Sequence, residues 1–257
     1  MANQSRQRVL TTWTRIIERI SLSVIVALCF SGSLPLFATA APTELQPYTA
    51  QYKTTARGIG MAITRTLELG EDDSYVLTNG GKILVMGFHE VGVFHVVEEQ
   101  IQPESYVYQG SGLVNRRREL RFDREAGRID SLYKDNWYQL PYSDTTLDRM
   151  TQLEQLRLTL LAGDKDPEHI VMRVADGKRV KDSRLELVGK ETLETPLGNV
   201  ETLHFTRLHN SAERSSDIWV APHWDYLMVK TIHIEDDKPV EMVLTSASIA
   251  GVPVTAD

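Results

Sequence analysis

The sequence predicts a mainly β fold: an antiparallel meander that forms a curved sheet, half-barrel or barrel, with one covering α-helix at about residues 145–162. Apolar and polar residues alternate along many short segments, which is typical of strands with one buried and one solvated face. Turn residues separate these segments at hairpin spacing, which favours a meander over parallel strands joined by helices. A single segment has helical apolar spacing.

The first two strands show the alternation most clearly. Residues 48–53 (YTAQYK) place apolar residues at every second position. One parity of residues 59–69 holds Ile59, Met61, Ile63, Leu67 and Leu69. Further strands are predicted at 74–78, 82–88, 91–101, 104–110, 114–123, 127–132, 136–140, 169–175, 179–189, 199–208, 214–221, 226–235 and 239–249. Turns are predicted at 70–73, 79–81, 125–127, 176–177, 195–198 and 235–237.

The predicted helix has a start signal, an apolar stripe and a stop signal. Thr145-x-x-Asp148 resembles a capping box, in which two side chains satisfy otherwise unpaired backbone N–H groups. Gly163 supplies the stop. The stripe, at helical spacing, consists of Leu147, Met150, Leu153, Leu156 and Leu160. This stripe is expected to cover the curved sheet.

The N-terminal 40 residues predict a secretory signal peptide. A basic segment with four arginines precedes a short apolar run, residues 20–30 (ISLSVIVALCF). Gly32 and Pro35 follow, and Ala38-Thr39-Ala40 fits an A-x-A cleavage site. Residues 41–257 are then expected to form a single β-rich domain. The alternative is an uncleaved anchor, but the run is shorter than the roughly 20 residues of a membrane-spanning helix, and no later segment approaches that length.

Cleavage near Ala40 removes Cys29, the only cysteine, so disulfides, thiolate metal sites and a cysteine nucleophile are excluded together. The net charge falls from −7 to −10, because the signal holds four arginines and one glutamate. An acidic exported domain is a poor match for nucleic acid or anionic lipid headgroups, which attract basic surfaces.

Four segments resemble the domain-of-unknown-function family 3108, a family of exported proteins from Gram-negative bacteria. They are SGLVNRRRELRFD (111–123), TLDRMTQLEQLRLTLLAG (146–163), LVGKETLETPLGNVETL (187–203) and IWVAPHWDYLMVK (218–230). The most specific motif residues are Thr195, Pro196, Gly198, Trp219, Pro222, Asp225 and Tyr226. The resemblance implies a periplasmic, β-rich single domain and assigns no reaction or catalytic residues. Met228 departs from the family, which commonly has proline there.

No metal or cofactor site is predicted. The seven histidines contain neither H-x-H nor H-E-x-x-H. Alternation places His204 and His233 on the same side of the sheet. A predicted strand separates them, however, so they are roughly 9.6 Å apart and too far to share a metal.

Arg65 breaks the pattern of its strand, since it occupies the apolar parity of residues 59–69. A buried arginine needs an anionic partner. That partner is either an anionic group on a ligand or an internal carboxylate, unless a bulge turns the side chain outward. Arg65, Trp219 and Tyr226 are the predicted ligand contacts.

The leading functional hypothesis is a periplasmic, non-catalytic binding or carrier module for a hydrophobic or lipid-like envelope ligand. An alternative is an envelope interaction or assembly protein with a filled core, for which residues 91–101, apolar on both faces, would form a contact. A remote alternative is a hydrolase using His223 or Asp225, although no second catalytic group is fixed beside either.

Overall fold

The computed structural model describes residues 44–56, 59–83, 86–112, 115–163, 167–211 and 213–256. The predicted signal peptide lies outside them. Within the described residues the chain forms one α-helix, α1 (Thr151–Leu161), and a 3-10 turn at Pro222–Trp224. In chain order its strands are β1 Tyr48–Ala56, β2 Ile59–Leu69, β3 Tyr75–Ile83, β4 Met86–Val97, β5 Gln100–Ser111, β6 Arg116–Asp123, β7 Arg128–Tyr133, β8 Asn136–Pro141, β9 Thr146–Leu147, β10 His169–Asp176, β11 Arg179–Thr195, β12 Gly198–Leu208, β13 Arg214–Ala221, β14 Leu227–Glu235, β15 Lys238–Ile249 and β16 Val252–Pro253.

The strands form a single sheet in the order β8-β7-β6-β5-β4-β3-β2-β1-β15-β14-β13-β12-β11-β10-β9, and β16 pairs with β15. Two meanders, β1 to β8 and β10 to β15, therefore meet where β1 pairs with β15. All pairings are antiparallel except that of β9 with β10. The predicted meander is confirmed.

The sheet curves around α1. The helix reaches Arg65 of β2 and Ile101 of β5 through side-chain hydrogen bonds, and Gln152 near its start contacts Arg207 of β12. Contacts with strands so far apart in the sheet require that the sheet wrap around the helix. We call the helix-facing side the concave face; it holds the core, whose largest fully buried side chains include Tyr52, Phe94 and Phe205.

The sheet does not close into a barrel. Its order ends at β8 on one side and at β9 on the other, and among the described strands none joins these ends. The curved, open sheet with a covering helix agrees with the predicted fold class. None of the described helices has the length and apolar character of a membrane span.

The helix begins later than predicted, and its cap is a different pair of residues. Asp148 Oδ1 accepts hydrogen bonds from the backbone N–H of Met150 (2.7 Å) and of Thr151 (3.0 Å). Thr151 Oγ1 accepts in return from the Asp148 N–H at 3.0 Å. Asp148 and Thr151 thus form the reciprocal cap. Thr145 is exposed and Thr146 pairs with β10, so the predicted start at 145 was wrong.

The turn predicted at residues 79–81 was also wrong, because β3 continues through Asn79-Gly80-Gly81. Glycine is needed there for close packing: a Cβ at Gly81 would lie 2.7 Å from the Ala62 carbonyl oxygen. The β4–β5 turn instead lies at Glu98 and Glu99, inside the predicted strand 91–101, with φ of 48° and 64°.

Candidate functional site

Arg65 lies in a buried charged cluster inside the curved sheet. Its Nη2 donates to Glu154 Oε1 at 3.0 Å and to the Met150 carbonyl at 3.1 Å. Its Nε donates to the Tyr48 hydroxyl at 2.8 Å, and this hydroxyl donates to Glu154 Oε1 at 2.8 Å. Arg157 Nη1 donates to Glu154 Oε2 at 2.7 Å. One carboxylate of α1 therefore binds two guanidinium groups and a phenol.

The electrostatics keep this cluster ionised. Burial alone would raise the pKa of the Glu154 carboxyl, but the guanidinium groups of Arg157 and Arg65 hold it below its ordinary value. Burial raises the pKa of Tyr48 far above its usual range, so its phenol stays neutral and can donate. The cluster connects β1, β2 and α1.

Little space remains beside the cluster. The cavity lined by Arg65, Glu154 and Tyr226 has a volume of about 10 Å³, the size of one water molecule. Arg65 thus has the internal carboxylate that the sequence left as an alternative to an anionic ligand. Sequence reasoning did not identify Glu154, since a glutamate within a helical segment is ordinarily solvated.

Trp219 lies on the convex face, away from Arg65. Its ring stacks on His204 with centroids 4.3 Å apart, and Lys230 Nζ lies 5.4 Å from its centroid. Trp219 Nε1 donates to Glu191, and His204 Nε2 lies 2.9 Å from Asp217 Oδ1. The tryptophan is 7% exposed. These contacts connect β11, β12, β13 and β14 on the convex face of the sheet.

The motif around Pro222 forms a tight corner. Pro222–Trp224 make one 3-10 turn, after which Asp225 and Tyr226 adopt φ of 49° and 54°. The Tyr226 N–H donates to the Ala221 carbonyl at 2.9 Å, closing the corner. The Asp225 carbonyl accepts from Arg157 Nε at 3.0 Å. The corner is thereby joined to the buried cluster.

A cleft of about 590 Å³ lies beside this corner and is lined by His223, Tyr226, Glu201 and neighbouring residues of β11 and β12. His223 is exposed, and its Nε2 lies 3.4 Å from Glu201 Oε2. Among the described residues, no hydrogen bond joins His223 to Asp225. The two residues of the remote hydrolase hypothesis are therefore not arranged as a pair.

The second motif, Thr195-Pro196-Leu197-Gly198, forms the β11–β12 turn. Thr195 Oγ1 accepts from the Leu197 N–H at 3.1 Å and donates to the Gly198 carbonyl at 2.8 Å. Gly198 has a φ of 109°, and a Cβ there would lie 3.0 Å from Ala256 Cβ. The motif residues at both corners thus have structural contacts.

The concave face continues beyond the start of α1 and is uncovered there. Met61 lies four residues before Arg65 on β2, pointing to the same face. Directly paired residues on adjacent antiparallel strands also share a face. Met61 pairs with Thr54, Thr54 with Met242, and Met242 with Thr231. Thr54 is buried, whereas the two methionines and Thr231 are only half-buried.

Aromatic side chains extend this surface across β4 and β5. Phe88 pairs with Gly81, where a Cβ would lie 3.2 Å from Met61 Sδ, so Phe88 and Met61 are neighbours on one face. The Phe88 ring stacks on Tyr108 at 6.3 Å. Met86, on the same face, is 39% exposed. We call the set Met61, Phe88, Tyr108 and Met242 the apolar row.

The described histidines, aspartates and glutamates contain no group of three that could hold a metal ion. His204 and His233 lie on opposite faces, because His204 pairs with Trp219 on the convex face while His233 pairs with Ser216. Their predicted placement on one side was wrong. The strand expected between them, β13, is present.

The fold is similar to that of a solved β-barrel-like protein of domain-of-unknown-function family DUF1849 from Brucella abortus, with a TM-score of 0.54 and 10% identity over 80% of this chain and 98% of that chain. A candidate lipoprotein from Parabacteroides distasonis has a TM-score of 0.32 and 10% identity, over 80% of this chain and 97% of that one. A candidate exported protein from Bacteroides fragilis has a TM-score of 0.31 and 12% identity, over the same shares. Among curated proteins, none matches this sequence.

A family model described as "Protein of unknown function (DUF3108)" matches residues 48–245, from the first residue of β1 into β15. The match includes both corner motifs and α1, and it extends into β15 past the seam pair Tyr52 and Leu244. The expectation from the sequence motifs is confirmed. The chain is a member of the DUF3108 family.

Proposed function

We propose that the protein is an exported, periplasmic and non-catalytic binding module that holds a hydrophobic or lipid-like ligand against the apolar row of its concave face. The observation that carries this proposal is the row itself: two methionines and two aromatic rings, half-buried on a concave surface that α1 leaves uncovered. Concave apolar surfaces of curved sheets are common ligand sites, and methionine adapts to irregular partners. The predicted signal peptide supports the location.

In this module, the buried cluster of Arg65, Glu154 and Arg157 would have a structural role. It fixes α1 against the concave face, next to the half-buried apolar row. On this proposal Arg65 acts through the helix rather than by touching a ligand. Trp219 would contact a ligand only from the convex side, whereas Tyr226 lines both the cleft beside the corner and the small cavity next to Arg65.

A charge placed in the apolar row tests the proposal. Met61→Glu puts a carboxylate on the concave face, whereas Ala62→Glu puts the same group on the exposed face of the same strand. Binding of the neutral probe 1-N-phenylnaphthylamine, followed by fluorescence, should fall at least ten-fold in the first variant and stay within two-fold in the second. Mass spectrometry of co-purifying small molecules should show the same difference. Equal binding by both variants would exclude the apolar row.

A second candidate function is an envelope interaction protein. One observation favours it: β8 is an edge strand of the sheet, and its Trp137 is 49% exposed. Unpaired edges can accept a strand from a partner. Photo-crosslinking from Trp137 in cells should then give a discrete product, and a crosslinker at Thr64 on the central strand β2 should not. Residues 91–101 are weaker candidates, since Phe94 is fully buried.

A further inference from the structure

Arg207 is a cation on the concave face of the sheet. It shares the parity of Phe205 on β12, and its Nη2 donates to Gln152 at the start of α1. Its Nε is buried and makes no hydrogen bond. Among the described residues, none supplies a carboxylate within ion-pair distance of Arg207. Burial and the nearby Arg149 lower the pKa of the Arg207 guanidinium, as expected for an uncompensated positive charge.

Next to Arg207, two histidines converge on one serine. His209 Nε2 lies 2.9 Å from Ser216 Oγ, and His233 Nδ1 lies 2.7 Å from the same oxygen. Ser216 has one hydroxyl proton, so it can donate to one imidazole while it accepts from the other. Ser216 and His233 are direct partners between β13 and β14. β13, β14 and the residue that follows β12 thus place polar side chains at one point.

Arginine and lysine side chains surround this point, although the protein has a net charge of −7. Burial lowers the pKa of His209, and the neighbouring side chains Arg207, His233, Arg214 and Lys181 lower it further. The nearest carboxylates are already paired. Glu235 binds Arg214 and lies 3.9 Å from His233, and Asp176 lies 3.2 Å from Lys181 and 3.6 Å from Arg118. An anion that entered here would therefore meet an unmatched guanidinium.

The polar group borders the apolar row. Ser216 precedes Ile218 by two residues on β13, and Ile218 pairs with Thr231, the partner of Met242. Residues two apart on a strand share a face and lie about 6.6 Å from each other. The distance between the polar group and the row is thus within the length of a single amphiphilic molecule.

We propose that Arg207, His209, Ser216 and His233 form a site for the oxyanion head of an amphiphile, a phosphate monoester or a carboxylate, whose apolar chain lies on the apolar row. This inference rests on the proposed function and adds the chemical class of the ligand. It differs from what the net charge alone indicates, because the local charge at the site is positive. Guanidinium and imidazole groups together are typical oxyanion ligands.

The test uses the full chain and three probes: dodecyl phosphate, the neutral 1-N-phenylnaphthylamine, and inorganic phosphate. Arg207→Gln removes the charge and Arg207→Lys keeps it. If circular dichroism shows that Arg207→Gln does not fold, Ser216→Ala tests the site in its place. We expect Arg207→Gln to weaken dodecyl phosphate binding at least ten-fold and to leave the neutral probe within two-fold. Arg207→Lys should recover part of the loss.

The outcomes separate the two proposals. The anion site is wrong if Arg207→Gln and Ser216→Ala bind dodecyl phosphate as the wild type does. It is also wrong if the variants lose affinity for both organic probes equally. Neither result contradicts the apolar row. If the wild type binds neither organic probe but binds inorganic phosphate in a manner that requires Arg207, the apolar ligand is wrong and the site takes free phosphate. Binding of none of the three probes overturns both proposals.

Discussion

Arg65 of β2 and Glu154 of α1 form an ion pair at 3.0 Å in which both side chains are almost fully buried, 7% and 1% exposed. A second guanidinium, Arg157, shares the same carboxylate at 2.7 Å. Removing one partner of such a group leaves buried charge without compensation, which costs far more than the intact group contributes. The cluster is therefore a sensitive point of the fold.

Glu154→Gln should destabilise the protein by about 3–5 kcal/mol, because it leaves two buried guanidinium groups without a carboxylate. Urea unfolding followed by circular dichroism measures the change. Glu68→Gln, on the exposed face of β2, is the matched control and should stay within about 0.5 kcal/mol. A loss below about 1 kcal/mol for Glu154→Gln would show that the cluster is hydrated in solution.

Because of the same carboxylate, the free energy of unfolding should decrease at acidic pH. The pKa of Glu154 in the folded chain lies below its ordinary value of 4.5, so the carboxylate stabilises the fold at pH values above 4.5. This contribution is lost as the pH falls below 4.5 and through the folded pKa. The stability difference between wild type and Glu154→Gln should therefore be largest near neutral pH and shrink in acid. A constant difference would contradict the assignment.

The helix cap can be tested against the sequence expectation. Asp148→Ala removes the acceptor of two backbone N–H groups and should cost about 1–2 kcal/mol, whereas Asp148→Asn keeps an acceptor and should cost less. Thr145→Ala, at the position that the sequence favoured, should have an effect within about 0.5 kcal/mol. Thermal unfolding of the three variants ranks them, and a larger effect at Thr145 would restore the original interpretation.

Gly198 should tolerate no side chain. Its φ of 109° is strained for other residues, and a Cβ would come within 3.0 Å of Ala256. We expect Gly198→Ala to destabilise the protein by about 1–2 kcal/mol in urea unfolding. Gly60→Ala is the control, since the nearest atom to its Cβ would be 3.9 Å away. Similar values for both variants would argue that the β11–β12 turn relaxes.

The strands were predictable because alternation is a local signal. Strand 214–221 was predicted with the bounds that β13 has in the structure. Errors occurred where tertiary contacts override local turn chemistry. The Glu98–Glu99 turn has no glycine, but Gln155 of α1 bonds the Glu99 carbonyl at 3.0 Å and the Ile101 N–H at 2.7 Å. Such a contact between distant segments has no signature in the turn itself.

The candidate site was predictable in part. Arg65 could be predicted to be buried, because it is a charged residue among apolar residues on one face of its strand. Its partner on α1 could be identified only from the folded chain. Arg207 gives the same signal, since it follows Leu203 and Phe205 on the buried parity of β12. Ser216 and His233 became partners only through the β13–β14 register, which a sequence does not specify.

The pairing of β1 with β15 has a consequence for how the chain folds. Each meander is built from neighbouring segments and can form as soon as it is made, because its loops are short. The seam in the middle of the sheet joins Tyr48 to Ile249, 201 positions apart in the sequence. Until β15 is available, β1 has a free hydrogen-bonding edge at the centre of the future sheet. The slow step, and the period of greatest exposure to aggregation, should therefore be the closure of this central seam.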